Sequence, residues 1–250
     1  MGLERKIIAF VLFAILTSCK SYFFNKGLEK MGAFNSSIKL TELGKNSKKI
    51  VFIPMKHFAT ESFYDDTKVK IDSLKKLGYY FFYEGLNVSV DDKLTLRKFR
   101  KLSGLPITKP GSGYMYLIDS LCNFKIKRKL IDQPQYAQLG IDSFCSKRVD
   151  LELKDIITGY ELRYSEIILE ECDFKTSVYK KSPCKYKGID QSILDYLILN
   201  SRNEMLIKEV LNGNNDRIAI IYGEEHFIEI KKVLLEHGFK LAVNNDIVSY

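Results

Sequence analysis

Three histidines and five cysteines in 250 residues leave few candidates for any chemistry that needs imidazole or thiol. No C-x-x-C pair occurs, and the histidines lie far from the cysteines in sequence, so a zinc knuckle is excluded. No apolar stretch approaches the roughly 20 residues that a spanning helix needs, which excludes a polytopic membrane protein. What is present is a globular composition, 46% hydrophobic and 28% charged. The net charge of +8 favours anionic surfaces without naming one.

Met1 to Ser18 reads as a secretory signal. Arg5 and Lys6 give the positive start, and Ile7 to Leu16 is an unbroken apolar core of signal length. The core ends in Leu16-Thr17-Ser18-Cys19, which resembles the lipobox of bacterial lipoproteins. That resemblance implies cleavage before Cys19 and lipidation of its thiol, so that the membrane is a partner through Cys19. Lys20 follows where an Asp would favour inner-membrane retention in some bacteria, which favours the outer membrane. Export puts Cys122, Cys145, Cys172 and Cys184 in an oxidising compartment, where three disulfide connectivities or plain buried thiols are all open.

The expected organisation is a signal peptide over 1–18, a polar tether over 19–46 and one domain over 47–250. Ile50 to Ile53 is a short β-branched and aromatic run ending at Pro54, a buried strand. Phe63, Val69, Ile71, Leu74 and Leu77 carry helical spacing up to Gly78, and Tyr79 to Tyr83 is a second strand. Strand, helix and strand in so short a span predict a βαβ-like unit with parallel pairing. Near the C-terminus the theme recurs: a long helix over Asp190–Leu211, a strand over Arg217–Tyr222, a helix over Phe227–His237 and a strand over Phe239–Val243. Between these units, Asp91–Leu102 and Leu151–Leu169 read as helices, and Gly104–Gly113 as a loop. The fold class is therefore α/β, with a mixed, largely parallel sheet flanked by helices. The echo between the outer units suggests two pseudo-symmetric halves. Basic residues and aromatics cluster at Lys125–Lys129 and Tyr179–Lys187, either as a solvated face or as a phospholipid surface; export argues against nucleic acid.

In open α/β sheets ligands sit beyond the carboxyl ends of strands. His57, Glu84 and His226 each follow a predicted strand at that edge. On the Asp190–Leu211 helix, Arg202 lies among Ile198, Leu199, Met205 and Leu206, inside the apolar stripe. A guanidinium cannot shed its charge there, so it needs an acid or an anion, and Glu84 is the expected partner.

These residues resemble a family. Pro54-Met55-Lys56-His57 with Phe63-Tyr64, Gly78-Tyr79 to Glu84-Gly85, Arg202-Asn203 and Gly223-Glu224-Glu225-His226 are similar to the ordered motifs of the TraB/GumN/Tiki family, with Pro54 in place of the first motif's Gly. The resemblance implies the two-halved fold of the erythromycin-esterase and ChaN-like proteins. It also implies a metal-dependent hydrolase, a peptidase of exported proteins, with His57, Glu84 and His226 around a divalent ion and Arg202 assisting. The alternative is a non-catalytic lipoprotein that binds a ligand, a peptide or haem in the same cleft.

Cys19→Ser should release the protein from cell membranes into the soluble fraction, and mass spectrometry of the wild-type chain should find a lipid-modified Cys19 as the first residue. An N-terminus at Met1 overturns the lipoprotein reading.

Overall fold

The computed structural model describes residues 21–109, 112–116, 118, 125–185 and 190–242. The signal peptide, Cys19, Cys122, Val243 and parts of the Gly104–Gly113 loop and of the Tyr179–Lys187 cluster lie outside them.

Helix α1 covers 21–30, and strand β1 is Thr41–Lys45. The stretch expected to be a tether is thus folded from residue 21. Leu28, Ala33, Phe34 and Leu130 form a small core there, and β1 joins the main sheet. The polar composition of 20–46 concealed this, because the buried residues are few and do not form a run.

Strand β2 (Lys48–Met55) follows, then the short β3 (Phe58–Ala59), helix α2 (Glu61–Lys76) and β4 (Tyr80–Tyr83). Thr60 caps α2 by accepting a hydrogen bond from the Phe63 N–H, and Gly78, at φ +75°, turns the chain back toward the sheet. Helix α3 (Lys93–Ser103), β5 (Ile131–Asp132), β6 (Ser146–Arg148), α4 (Leu153–Arg163) and α5 (Glu171–Lys175) make up the middle. Helix α4 stops well short of Leu169. Then come α6 (Gln191–Asp195), a π-helical turn over Tyr196–Asn200, α7 (Ser201–Asn212), β7 (Arg217–Gly223), α8 (Glu224–Glu236) and β8 (Lys240–Leu241).

The main sheet has the order β6-β4-β7-β2-β1-β8. Strands β6, β4, β7 and β2 are parallel, and β1 pairs antiparallel with both β2 and β8. The mixed, largely parallel α/β sheet expected from the strand–helix–strand pattern is therefore present. One detail differs: β4 pairs with β7 rather than β2, so the first unit's strands straddle the second unit's strand.

Alternation splits the apolar strands between two cores, since successive residues point to opposite faces. Val51, Ile53, Phe81, Ala219 and Ile221 pack against Phe63, Ile71 and Leu74 of α2. Ile50, Phe52, Phe82, Ile218, Ile220 and Tyr222 face Leu206 and Val210 of α7 and Ile230 and Leu234 of α8. The sheet is covered on both sides, and its four parallel strands deliver their carboxyl ends to one edge.

A third region lies beside the sheet. Arg100 of α3 is 1% exposed and bonds the Ser177 carbonyl (2.7 Å), the Asp173 carbonyl (3.0 Å) and the Asp173 carboxylate (3.3 Å). A Cys172–Cys184 disulfide closes the loop that supplies those acceptors. It joins residues 12 apart, and a loop of this size stabilises a fold by about 2–3 kcal/mol. The double variant Cys172→Ala/Cys184→Ala should lose that amount in urea unfolding, and reductant should bring the wild type to the same midpoint.

Candidate functional site

Arg202 enters the site from the second residue of α7, two residues past the π-helical turn, a feature that often accompanies functional sites. The buried face of α7 is Arg202, Asn203, Leu206, Ile207 and Val210, while Met205 is exposed. The apolar stripe is thus rotated from the expected one, but Arg202 faces inward as predicted and is 6% exposed.

Its guanidinium is held from three sides. Nη2 donates to Glu84 Oε1 (2.7 Å) and to Asp150 Oδ2 (2.6 Å), Nε to Asp150 Oδ1 (2.8 Å) and Nη1 to the Ile198 carbonyl (3.2 Å). The expected Arg202–Glu84 bridge is present, and Asp150 makes it a triad. Asp150 also accepts the N–H groups of Gly85 and Leu151, both at 2.8 Å. A buried pair survives when its remaining lone pairs and protons are satisfied, and these bonds do so.

Glu84 follows β4, and its second oxygen accepts the Gly223 N–H at 2.7 Å. Burial opposes ionisation of Glu84, but the His226 ring, the Arg202 charge and the Gly223 N–H outweigh it and hold the carboxyl well below its usual range. Glu84 is therefore a fixed carboxylate rather than a proton donor.

His226 lies in the first turn of α8, because that helix starts at Glu224 rather than Phe227. It is buried, with Nδ1 donating to Asn203 Oδ1 at 2.7 Å. Nε2 is left 3.5 Å from Arg202 Nη1 and 3.6 Å from Glu84 Oε1. Bare, this nitrogen accepts from Arg202; protonated, it donates to Glu84.

His57 stands at the same sheet edge, between β2 and β3, but is exposed. Its ring stacks on Tyr114, with centroids 4.3 Å apart. Asp132 fixes this arrangement. It pairs with Phe58 in the β3–β5 ladder, accepts the Met115 N–H at 2.8 Å and lies so close to Gly113 that a Cβ there would fall on its carboxylate. Desolvation by the surrounding chain lowers the His57 pKa; the Glu84 charge opposes that shift, while Arg202 and His226 add to it. His57 is consequently neutral at neutral pH. Desolvation by the neighbouring chain and then the Glu84 charge raise the pKa of Tyr114, which keeps its hydroxyl protonated. Burial and then the Glu84 charge raise Tyr136, and burial and then the Asp150 charge raise Tyr222.

The sequence-predicted residues thus share one edge but not one coordination sphere. Among the described residues, the only three ligand atoms of His, Cys, Asp or Glu within 4.8 Å of one another belong to Glu170, Cys172 and Cys184, and those sulfurs form the disulfide. His57 faces Tyr114, and the Arg202 cation occupies the neighbourhood of the Glu84 oxygens. As placed, His57, Glu84 and His226 do not fit a single ion. Sequence reasoning also missed Asp150 and Tyr114, and gave Asn203, quoted beside Arg202, no role of its own. Asp150 follows the polar edge strand β6, which has no apolar run to announce it, and Asn203 was legible only as a neighbour of Arg202.

No family model, curated protein or solved structure matches this chain.

Removing the cation strands the buried Asp150 carboxylate and the largely covered Glu84 carboxylate, so Arg202→Met should cost about 3–5 kcal/mol of stability. Glu84 contributes stability that is present above its unfolded pKa of about 4.5 and is lost as pH falls below it. The urea midpoint should therefore drop between pH 5 and pH 3, and Glu84→Gln should flatten that drop.

Proposed function

We propose that this chain is an exported, lipid-anchored hydrolase of the TraB/GumN/Tiki kind, acting on peptide bonds of other envelope proteins, with the pseudo-symmetric fold that such kinship implies. The observation that carries the proposal is a neutral, accessible His57 beside a buried Arg202–Glu84–Asp150 network at the carboxyl edge of the sheet. Such a network costs stability, and apolar residues of similar volume would fill the space more cheaply. The Cys172–Cys184 disulfide supports export, since such bonds persist in oxidising compartments.

The residues support a proton-transfer route. His57 takes a proton from a water molecule as its oxygen attacks the peptide carbonyl carbon. The fixed negative charge of Glu84 stabilises the imidazolium that results, and the protonated Tyr114 hydroxyl donates toward the carbonyl oxygen. His57 then returns the proton to the leaving nitrogen as the C–N bond breaks. Arg202, with its donors committed, holds Glu84 in place. No step is routed through a metal, because the three proposed ligands do not converge as they stand.

The test is peptide hydrolysis by the mature chain, residues 19–250, across pH. His57→Ala should lower kcat/KM by at least about 100-fold while leaving the urea midpoint unchanged. The acid limb of the wild-type profile should fall below pH 6.5, the ordinary histidine value. Unchanged activity in His57→Ala overturns the base assignment. Chelator-sensitive activity, with a bound metal that His57→Ala loses, restores the three-ligand centre. If the wild type hydrolyses no peptide but binds one, or haem, the non-catalytic reading replaces this one.

A further inference from the structure

Helix α1 buries one side and leaves the other without a partner among the described residues. Phe24 and Leu28 pack toward Phe34, Leu130, Phe58 and Met115. At 100° per residue, Tyr22, Phe23, Lys26 and Lys30 fall within one quarter-turn or so on the opposite side. Tyr22 is 59% and Phe23 71% exposed, and their rings contact each other edge to face. Soluble surfaces carry scattered apolar residues, but two adjacent exposed aromatics flanked by lysines are the composition of a helix lying in a membrane interface.

The run 125–129 extends this surface. It is fastened beside α1 by Asn25, whose side chain donates to the Lys125 carbonyl and accepts the Lys127 N–H, at 2.7 and 2.8 Å. Helix α1 and residues 125–129 together carry six cationic side chains and one carboxylate, Glu29. Glu29 sits between Lys127 (3.2 Å) and Lys26 (3.4 Å), which neutralise it locally. The surface is thus aromatic and strongly cationic.

We propose that the outward face of α1 and the adjoining 125–129 run dock on an anionic phospholipid bilayer. Charge complementarity selects the partner: anionic headgroups attract a cationic cluster within a Debye length, while the two aromatic rings enter the interface. Position agrees with it. Cys19 lies two residues before the start of α1, so under the lipid-anchor reading the docking face begins where the acyl chains end. Lipid alone tethers a domain without orienting it, whereas this face fixes which side meets the membrane.

The docking face also bears on the candidate site. Phe58 follows His57, Met115 follows Tyr114, and both pack under α1. Lys56, one residue before His57, donates to the Met31 carbonyl just after α1. Docking therefore sets the His57–Tyr114 side of the sheet edge near the bilayer surface and favours membrane-bound or membrane-proximal substrates over freely diffusing ones.

Docking is measured independently of lipidation and of hydrolysis. The five apolar clusters of the described structure lie wholly between Phe24 and Phe239, so chain 19–250 carrying Cys19→Ser retains them all. This unlipidated chain should sediment at low salt with vesicles that contain phosphatidylglycerol, and not with pure phosphatidylcholine. Tyr22→Ser/Phe23→Ser and Lys26→Glu/Lys30→Glu should each weaken partitioning by about tenfold or more, with urea midpoints unchanged because all four side chains are exposed. Hydrolysis of a short soluble peptide should be the same in these variants as in the wild type, so that failure of docking and failure of the hydrolase reading remain distinct. The proposal is overturned if the unlipidated chain binds neither vesicle at low salt, if it binds both equally, or if the variants partition as well as the wild type.

Discussion

The structure depends on a cation in the wrong solvent. Arg202 is 6% exposed on a helix that packs on the sheet, and its charge must be answered where it lies. Asp150 answers it from the end of β6, and Glu84 from the end of β4, each within 2.8 Å. Neither acid is free to point elsewhere, because backbone N–H groups of Gly85, Leu151 and Gly223 hold their remaining oxygens' lone pairs. The ion triad thereby ties α7 to three parallel strands through polar contacts alone. Apolar packing specifies which face α7 presents, and the triad specifies how far along the strands it sits.

That constraint explains the form of the surrounding edge. The guanidinium donors turn to two carboxylates, a carbonyl and the His226 ring. Glu84 is kept ionised by the same contacts that position it, so it acts as a standing negative charge toward His226 and His57. Tyr114, Tyr136 and Tyr222 feel this charge as well as their burial and keep their hydroxyl protons.

Much of this could be read from the residues, and the exceptions share a cause. The β2 and β7 strands are legible as short unbroken apolar runs, and the α2 and α8 helices by apolar residues at helical spacing. Arg202 is legible because a charge inside an apolar stripe violates that repeat. Strand β1, helix α1 and strand β6 are hidden because β1 and α1 contribute one buried residue each and β6 none, all within polar segments. Asp150 is hidden with β6, since a strand-end position has meaning only once the strand is known. The pairing of β4 with β7 rather than β2 is a tertiary choice. Two parallel strands linked through one helix can lie side by side or straddle a third, and local sequence is the same in both cases.

The two histidines show where symmetry in sequence ends. His57-Phe58 and His226-Phe227 follow equivalent strands, and as strings they look interchangeable. In the structure β7 runs directly into α8, so His226 is caught in a first helical turn, buried, with Asn203 holding Nδ1. After β2 the chain instead makes the short β3 before α2 begins, and that detour pairs it with β5 and brings Asp132, and through it Tyr114, over His57. One histidine is therefore a fixed member of the ionic floor, while the other is an exposed ring on an aromatic shelf. Under the proposed reading, a base that reaches water and a positioning group that does not move would come from the same dipeptide, because the connection after the strand differs. The detour also brings Phe58 and Met115 under α1, so the segment that exposes His57 is the one that joins the site to the N-terminal helix.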